Sequence, residues 1–213
     1  MTEKTKKILI TISGILFAYI LFQSYHFDNI FQIFFYIILG GIGLYILFNG
    51  VFNDIEKYKK TKKIKSYSIT LIGTFMVILN VGIYIYYEIK LNSQSLLKAE
   101  NHGVYVDLKK NGEYIIKSGS WASKKHFYGE FYIKDSVITL DKKYFDNVLV
   151  TNRYVIRNII NAKGYDESGE NKKYLIQVNQ KGVEINNAFD YEFNPERKIY
   201  YSYKFEITED NRK

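Results

Sequence analysis

The residues best equipped for chemistry are few. Trp121, Lys124, Lys125 and His126 fall within one short stretch, and Trp121 is the only tryptophan. An aromatic face beside cations suits an anionic glycan, a lipid headgroup or a protein partner. The competing expectation is a tryptophan that covers one end of a β-structure, with its lysines in solvent. The histidines are His26, His102 and His126. A metal centre needs three or four convergent ligands with supporting partners. No His-x-x-x-His or equivalent spacing occurs, so these read as loop or surface histidines, with no metal and no cofactor expected.

Other chemistry is thin. The chain has no cysteine, which removes disulfides, zinc–thiolate sites and thiol nucleophiles. Asp107, Glu113, Glu130 and Asp135 lie on or near neighbouring strands. A glycosidase would need two carboxyls in a cleft at controlled separation, and alternating charges on an exposed sheet produce such pairs without one. Residues 165–170 are acidic but lack the spacing of a calcium loop. No glycine-rich phosphate loop or nucleophile elbow is present. No catalytic residue is assigned, and the chain is expected not to be an enzyme.

The elements that must position these residues fall into two parts. Residues 1–95 carry nearly all the long apolar runs. Three of them are long enough to span hydrocarbon at about 1.5 Å per residue: about 8–27, 29–52 and 68–89. The first follows a basic start but lacks the small residues of a cleavage site, so an uncleaved anchor is expected. Gly40, Gly41 and Gly43 lie in the second span, where small residues let helices approach closely. Asn80 sits near the middle of the third and predicts an interhelical hydrogen bond. No ionisable residue lies deep in a span, which argues against an ion-coupled transporter.

Between the second and third spans, residues 53–67 hold six lysines against Asp54 and Glu56. Short lysine-rich loops are retained on the cytoplasmic side. Three lysines also precede the first span, and the 24–29 loop has none. The order that follows is N-terminus in, and everything after the third span out. The net charge of +8 is therefore largely a membrane-topology signal. No nucleic-acid polymer is expected as partner. Abundant Ile, Lys, Asn and Tyr with a single proline, Pro195, suit a bacterial gene. The expected location is a bacterial inner (plasma) membrane, multi-pass, with the C-terminal domain periplasmic or extracellular.

Residues 96–213 form the second part, and from Gly103 the period changes from helical to two. Residues 91–101 read as a polar linker. Val104, Val106 and Leu108 then alternate with Tyr105, Asp107 and Lys109, and Asn111-Gly112 is a strong hairpin signal. Further strand-like runs are 113–118, 127–134, 137–141, 148–151, 154–160, 174–179, 182–186 and 199–208. About eight short strands joined by tight turns predict an antiparallel all-β domain, a small barrel or a sandwich, the barrel being preferred.

Three segments carry a resemblance: Gly103-Val104-Tyr105; Asn111-Gly112-Glu113-Tyr114; and Tyr128-Gly129-Glu130-Phe131-Tyr132-Ile133-Lys134-Asp135-Ser136-Val137-Ile138-Thr139-Leu140-Asp141. Together they resemble the strand pattern of small lipocalin-like envelope domains, with a Gly-x-aromatic strand, a short turn and a D-x-I-x-L strand. The resemblance implies a barrel and ligand binding. It departs from that pattern in having three membrane spans in place of a lipid anchor.

Two function classes follow. One is a membrane-anchored, non-enzymatic binding or interaction module, sensing an envelope ligand or neutralising a toxin as an immunity protein. The bilayer, a protein or small-molecule ligand at the β-domain, and further copies through the helices would be its partners. The other is a membrane-disrupting signalling effector whose barrel binds a small ligand such as a cyclic nucleotide, which needs the barrel in the cytoplasm. A reporter fused at Lys213 separates them by compartment. The barrel interior bears on the role, solid packing meaning a structural or interaction role and a polar cavity a ligand.

Overall fold

A computed structural model describes residues 1–120, 122–146, 148–160, 171–185, 191–194 and 199–212. The chain forms two compact units, Met1–Leu91 and Asn92–Lys213. In the first, three helices are long and apolar enough to cross a membrane.

Helix α1 spans Glu3–Ser24. It starts earlier than the apolar run because Thr2 caps it, its hydroxyl accepting from Thr5 N–H at 3.2 Å; a capping hydroxyl satisfies one of the orphan amides of a first turn. A short extended segment, β1 (Phe27–Asn29), follows. Helix α2 spans Gln32–Thr61, so the helix runs on through most of the stretch expected to be a basic loop. Residues 53–61 contain no glycine or proline to stop it, and Glu and Lys are good helix formers. It ends where Lys62 turns left-handed, φ 55°, with its amide bonded to the Tyr58 carbonyl. A single 3-10 turn, Ile64–Tyr67, leads directly into α3, Ser68–Leu91.

The second unit is a closed antiparallel barrel of eight strands: β2 (Ser95–Asn101), β3 (Val104–Lys109), β4 (Glu113–Gly119), β5 (Ser123–Lys134), β6 (Val137–Leu140), β7 (Arg153–Ile160), β8 (Asn171–Gln177) and β11 (Lys204–Asp210). Neighbours in sequence pair in order from β2 to β8. The last strand, β11, inserts between β8 and β2 and closes the ring. A separate hairpin, β9 (Tyr191–Asn194) with β10 (Ile199–Ser202), precedes it. Closure leaves the barrel without a free edge.

Several expectations change. Strand β2 falls within the segment read as linker: its inward residues are Ser95, Leu97 and Ala99, a weak alternation beside charged Lys98 and Glu100. Residues 148–151 are not a strand but part of a loop closing one barrel end. Residues 199–208 are two strands, not one. In the described part of 182–186 there is only an isolated bridge, Val178 to Glu184.

Turn chemistry also differs in detail. His102-Gly103 (φ 41° and 77°) and Asp135-Ser136 (φ 52° and 64°) have positive φ at both central positions, the geometry that matches strand twist in two-residue hairpins. At Asn111-Gly112 only Gly112 is left-handed. There Asn111 acts through its side chain, accepting from Glu113 N–H at 3.1 Å.

The barrel interior is a packed core. Leu97, Val106, Leu108, Tyr114, Ile116, Leu140, Tyr154, Leu175 and Phe205 are all nearly inaccessible. Phe145 and Leu149, from the loop between β6 and β7, plug one end; Phe145 meets the rings of Tyr114 and Phe127. Buried Gln177 holds this plug, its Oε1 accepting from the amides of Val150 and Thr151 at 2.9 and 2.8 Å.

Candidate functional site

Three of the four candidate binding residues, Lys124, Lys125 and His126, lie at the start of β5, near the plug loop. Ser123–Lys134 forms one strand, and consecutive strand residues point to opposite faces. Lys124 and His126 therefore lie on one face of β5 and Lys125 on the other. Lys125 is committed to the plug loop through an ion pair with Asp146 at 2.9 Å. His126 Nδ1 lies 3.2 Å from the Tyr128 hydroxyl. The expected cluster is thus divided by the pleat, and Trp121 lies outside the described residues, as do residues 165–170.

The other candidates separate in the same way. Asp107 is ion-paired at 2.8 Å with Lys109, which is almost wholly buried and also donates to the Ser93 carbonyl. Glu113 and Glu130 do face each other across β4 and β5, but Glu130 is exposed on the outer wall and Glu113 is held by Asn111 Nδ2. Among the described residues no group of three His, Asp or Glu side chains is placed to hold a metal.

The polar concavity of the barrel lies on its outside. Register places Glu206 of β11 opposite Glu100 of β2, Tyr105 of β3 opposite Glu100, and Tyr174 of β8 opposite Glu206. Directly opposed residues share a face, so a Tyr–Glu–Glu–Tyr belt crosses four strands. It lines a concavity of about 400 Å³ with the Asn101-His102-Gly103 turn on its rim. Like charges set opposite each other are unfavourable; here Lys172 neutralises Glu206 at 3.1 Å, and Lys204 lies on the rim. Mixed charge beside tyrosine faces suits a polar partner surface. The belt exists only through the β2–β11 pairing, and the sequence of β2 reads as linker.

Charge pairs continue along this wall. Lys98 and Glu209 pair at 2.5 Å; the contact raises the Lys98 pKa and lowers that of Glu209. The Arg212 guanidinium, then Lys173, holds the Asp210 carboxyl well below the usual carboxylate range. Inside the barrel, burial followed by the Asp141 carboxylate pushes the Tyr114 hydroxyl up; Tyr114 donates to Asp141 Oδ1 at 2.9 Å. Tyr154, fully enclosed, is raised by burial too, and its hydroxyl has no hydrogen-bond partner in the structure.

In the helical unit, Asn80 makes the interhelical bond expected of it. Its Nδ2 donates to the Gly14 carbonyl of α1 at 3.3 Å and to Met76 at 2.8 Å. Gly40 faces Phe17, Gly43 faces the Ser13 hydroxyl, and Gly41 faces open space. The glycines with least room for a Cβ are others: Gly14 against Met76, Gly50 against Ile69, and Gly73 against Leu47 and Ile10. An apolar cavity of about 210 Å³ lies among the helices, lined in part by Gly40, Gly43 and Asn80.

At the lysine-rich end of this unit, Asp54 is buried, not a loop charge. Its Oδ2 accepts from the amides of Ile69 and Thr70 and from the Thr70 hydroxyl, at 3.0, 2.9 and 2.9 Å. It caps α3 from α2, a carboxylate at the positive end of a helix. Glu3 binds Lys7, Lys57 and the Ser68 hydroxyl, tying all three helices at one end.

Compared with protein-family models, with curated proteins and with solved structures, the chain matches none. Function must therefore be argued from these features.

Proposed function

We propose that this chain is a membrane-anchored, non-enzymatic interaction module of a bacterial envelope, acting in ligand sensing or toxin immunity. The observation that carries the reading is the filled barrel: an interior closed by Tyr114, Tyr154, Phe205 and the Phe145 plug leaves recognition to the outer wall. The concavity around Glu100, Tyr105, Tyr174 and Glu206 is the proposed contact surface for a protein or polar small molecule. The lipocalin-like strand pattern supports the barrel in this reading; its interior ligand does not follow from a packed core.

Placement rests on the lysines. Residues 53–67 and the N-terminus are the basic segments next to the spans, which supports a cytoplasmic N-terminus and a barrel on the other side of the plasma membrane. The helices tether the barrel and offer a route to homo-oligomers. The effector reading, with a cyclic nucleotide bound by a cytoplasmic barrel, would need both the opposite placement and a pocket.

The test is site-specific photo-crosslinking in cells. A photoreactive residue in place of Tyr105, 42% exposed, should give a discrete adduct, and one in place of Tyr132, 58% exposed on β5, should not. Equal labelling from both positions, or no adduct from Tyr105, would remove the assignment.

A further inference from the structure

The lysine-rich end of the helical unit concentrates its charge in a defined shape. Helix α2 is 30 residues long, about 45 Å at 1.5 Å per residue. Hydrocarbon is about 30 Å thick, so the last turns of α2 stand clear of it. Nine lysines (three in residues 1–7, six in 57–65) meet only Glu3, Asp54 and Glu56 there. Glu3 is occupied by Lys7 and Lys57, and Asp54 by the start of α3. Lys59, Lys60, Lys62, Lys63 and Lys65 are all exposed, and none pairs with a described carboxylate.

The turn between α2 and α3 adds a second feature. Ile64 is 78% exposed, more than any other large apolar residue described, and it stands among those lysines. In the same α2–α3 connection Tyr58 and Tyr67 pack with ring centroids 5.0 Å apart, and the Lys62 ammonium lies 5.9 Å from the Tyr58 centroid. A single exposed isoleucine is ordinary on a soluble surface; what marks Ile64 is its place between exposed lysines at the end of a membrane-length helix. At a bilayer surface an apolar tip enters the headgroup layer, tyrosines sit at its level, and lysine stems lie along it while their ammoniums reach phosphates.

We propose that the turn Lys62–Tyr67 and the last turn of α2 form a docking surface for anionic phospholipid headgroups, with Ile64 as its wedge. Lys59, Lys60, Lys62, Lys63 and Lys65 supply the charge. The surface recognises phosphatidylglycerol-type lipid in the adjoining leaflet, whichever side of the membrane that leaflet faces.

The full chain reconstituted in phosphatidylcholine vesicles tests this with trace spin-labelled phosphatidylglycerol or phosphatidylcholine. Attraction worth one lysine near the surface is about fivefold in occupancy. The protein should therefore immobilise the anionic label about fivefold more than the neutral one. The preference should collapse at about 1 M salt, where screening acts within roughly 3 Å. Replacing the five lysines with Gln should bring the ratio near one; replacing them with Arg should keep it, which also shows that insertion survives. A bimane label at Ile64→Cys, clean because the chain has no cysteine, should be quenched more by headgroup than by mid-chain spin labels. Equal immobilisation of the two lipids, selectivity that survives the Gln changes, or displacement of the lipid by an RNA oligonucleotide at equal charge would overturn the proposal.

Discussion

Replacing Gly129 with alanine probes the barrel core at its tightest point. Gly129 faces Tyr114 across β4 and β5. A Cβ built there would lie 2.5 Å from the Tyr114 hydroxyl and 2.7 Å from Cζ, and closer still to Asp141 Oδ1. Its backbone is not left-handed, so alanine brings no conformational strain, and Gly→Ala alone would help by about 0.4–1 kcal/mol. The steric demand runs the other way. The Tyr114 hydroxyl and Asp141 must move apart, losing a hydrogen bond to a charged group, about 1.5–3 kcal/mol. Overpacking adds about 1–3 kcal/mol. The expected net cost is about 3 kcal/mol, or on the order of 10–15 °C in Tm for a unit of this size. Tyr114→Phe alone should cost about 1–2 kcal/mol by leaving Asp141 short of a donor. It also clears space at Gly129, so the double variant should be at least 1 kcal/mol more stable than the sum of the singles. Denaturant unfolding of the four proteins, followed by near-UV circular dichroism, measures the cycle. Additive effects, or a neutral Gly129→Ala, would refute the packing argument.

Other consequences are shorter. Ser136→Gly relieves a left-handed residue in the β5–β6 turn and should stabilise the barrel by about 1 kcal/mol in the same assay. Asp54→Ala should cost about 2 kcal/mol by uncapping α3, and Asp54→Asn less because it keeps an acceptor; thermal shift in detergent compares them. The pKa of Asp210 is lowered in the folded state, so its contribution is full above the unfolded value near 3.9 and is lost as pH falls below it; Tm should drop between about pH 4 and 2, and less so in Asp210→Asn. Tyr114 and Tyr154 are raised, so the unfolded chain ionises first, and stability should fall as pH climbs above about 10. Equal ionisation of all tyrosines in the folded protein, seen at about 295 nm, would contradict this.

The large pattern of the fold was legible because two periods do not overlap: long apolar runs for the helices, and alternation around Val104, Val106 and Leu108 for the barrel. What escaped did so for local reasons. Strand β2 shows only Leu97 and Ala99 to the core on a charged background, and its partner β11 lies more than a hundred residues away. Asp54 sits among lysines, where a carboxylate reads as solvent charge until the start of α3 is seen to fold onto it. Lys124 and Lys125 are neighbours along the chain, but the β5 alternation extended back from Phe127 sets them on opposite faces. The Tyr–Glu–Glu–Tyr belt had no sequence signal, because its four members come from four strands and owe their meeting to register alone.

The proposed placement, with the helices holding the barrel across the bilayer from the lysine turn, carries the proposed role of the outer wall with it. A chain without cysteines allows one direct measurement: a membrane-impermeant maleimide applied to intact cells expressing either Tyr144→Cys or Lys63→Cys, both at exposed positions. The account predicts labelling at position 144 in intact cells and at position 63 only after lysis. Labelling at position 63 with none at 144 would put the barrel inside and contradict it.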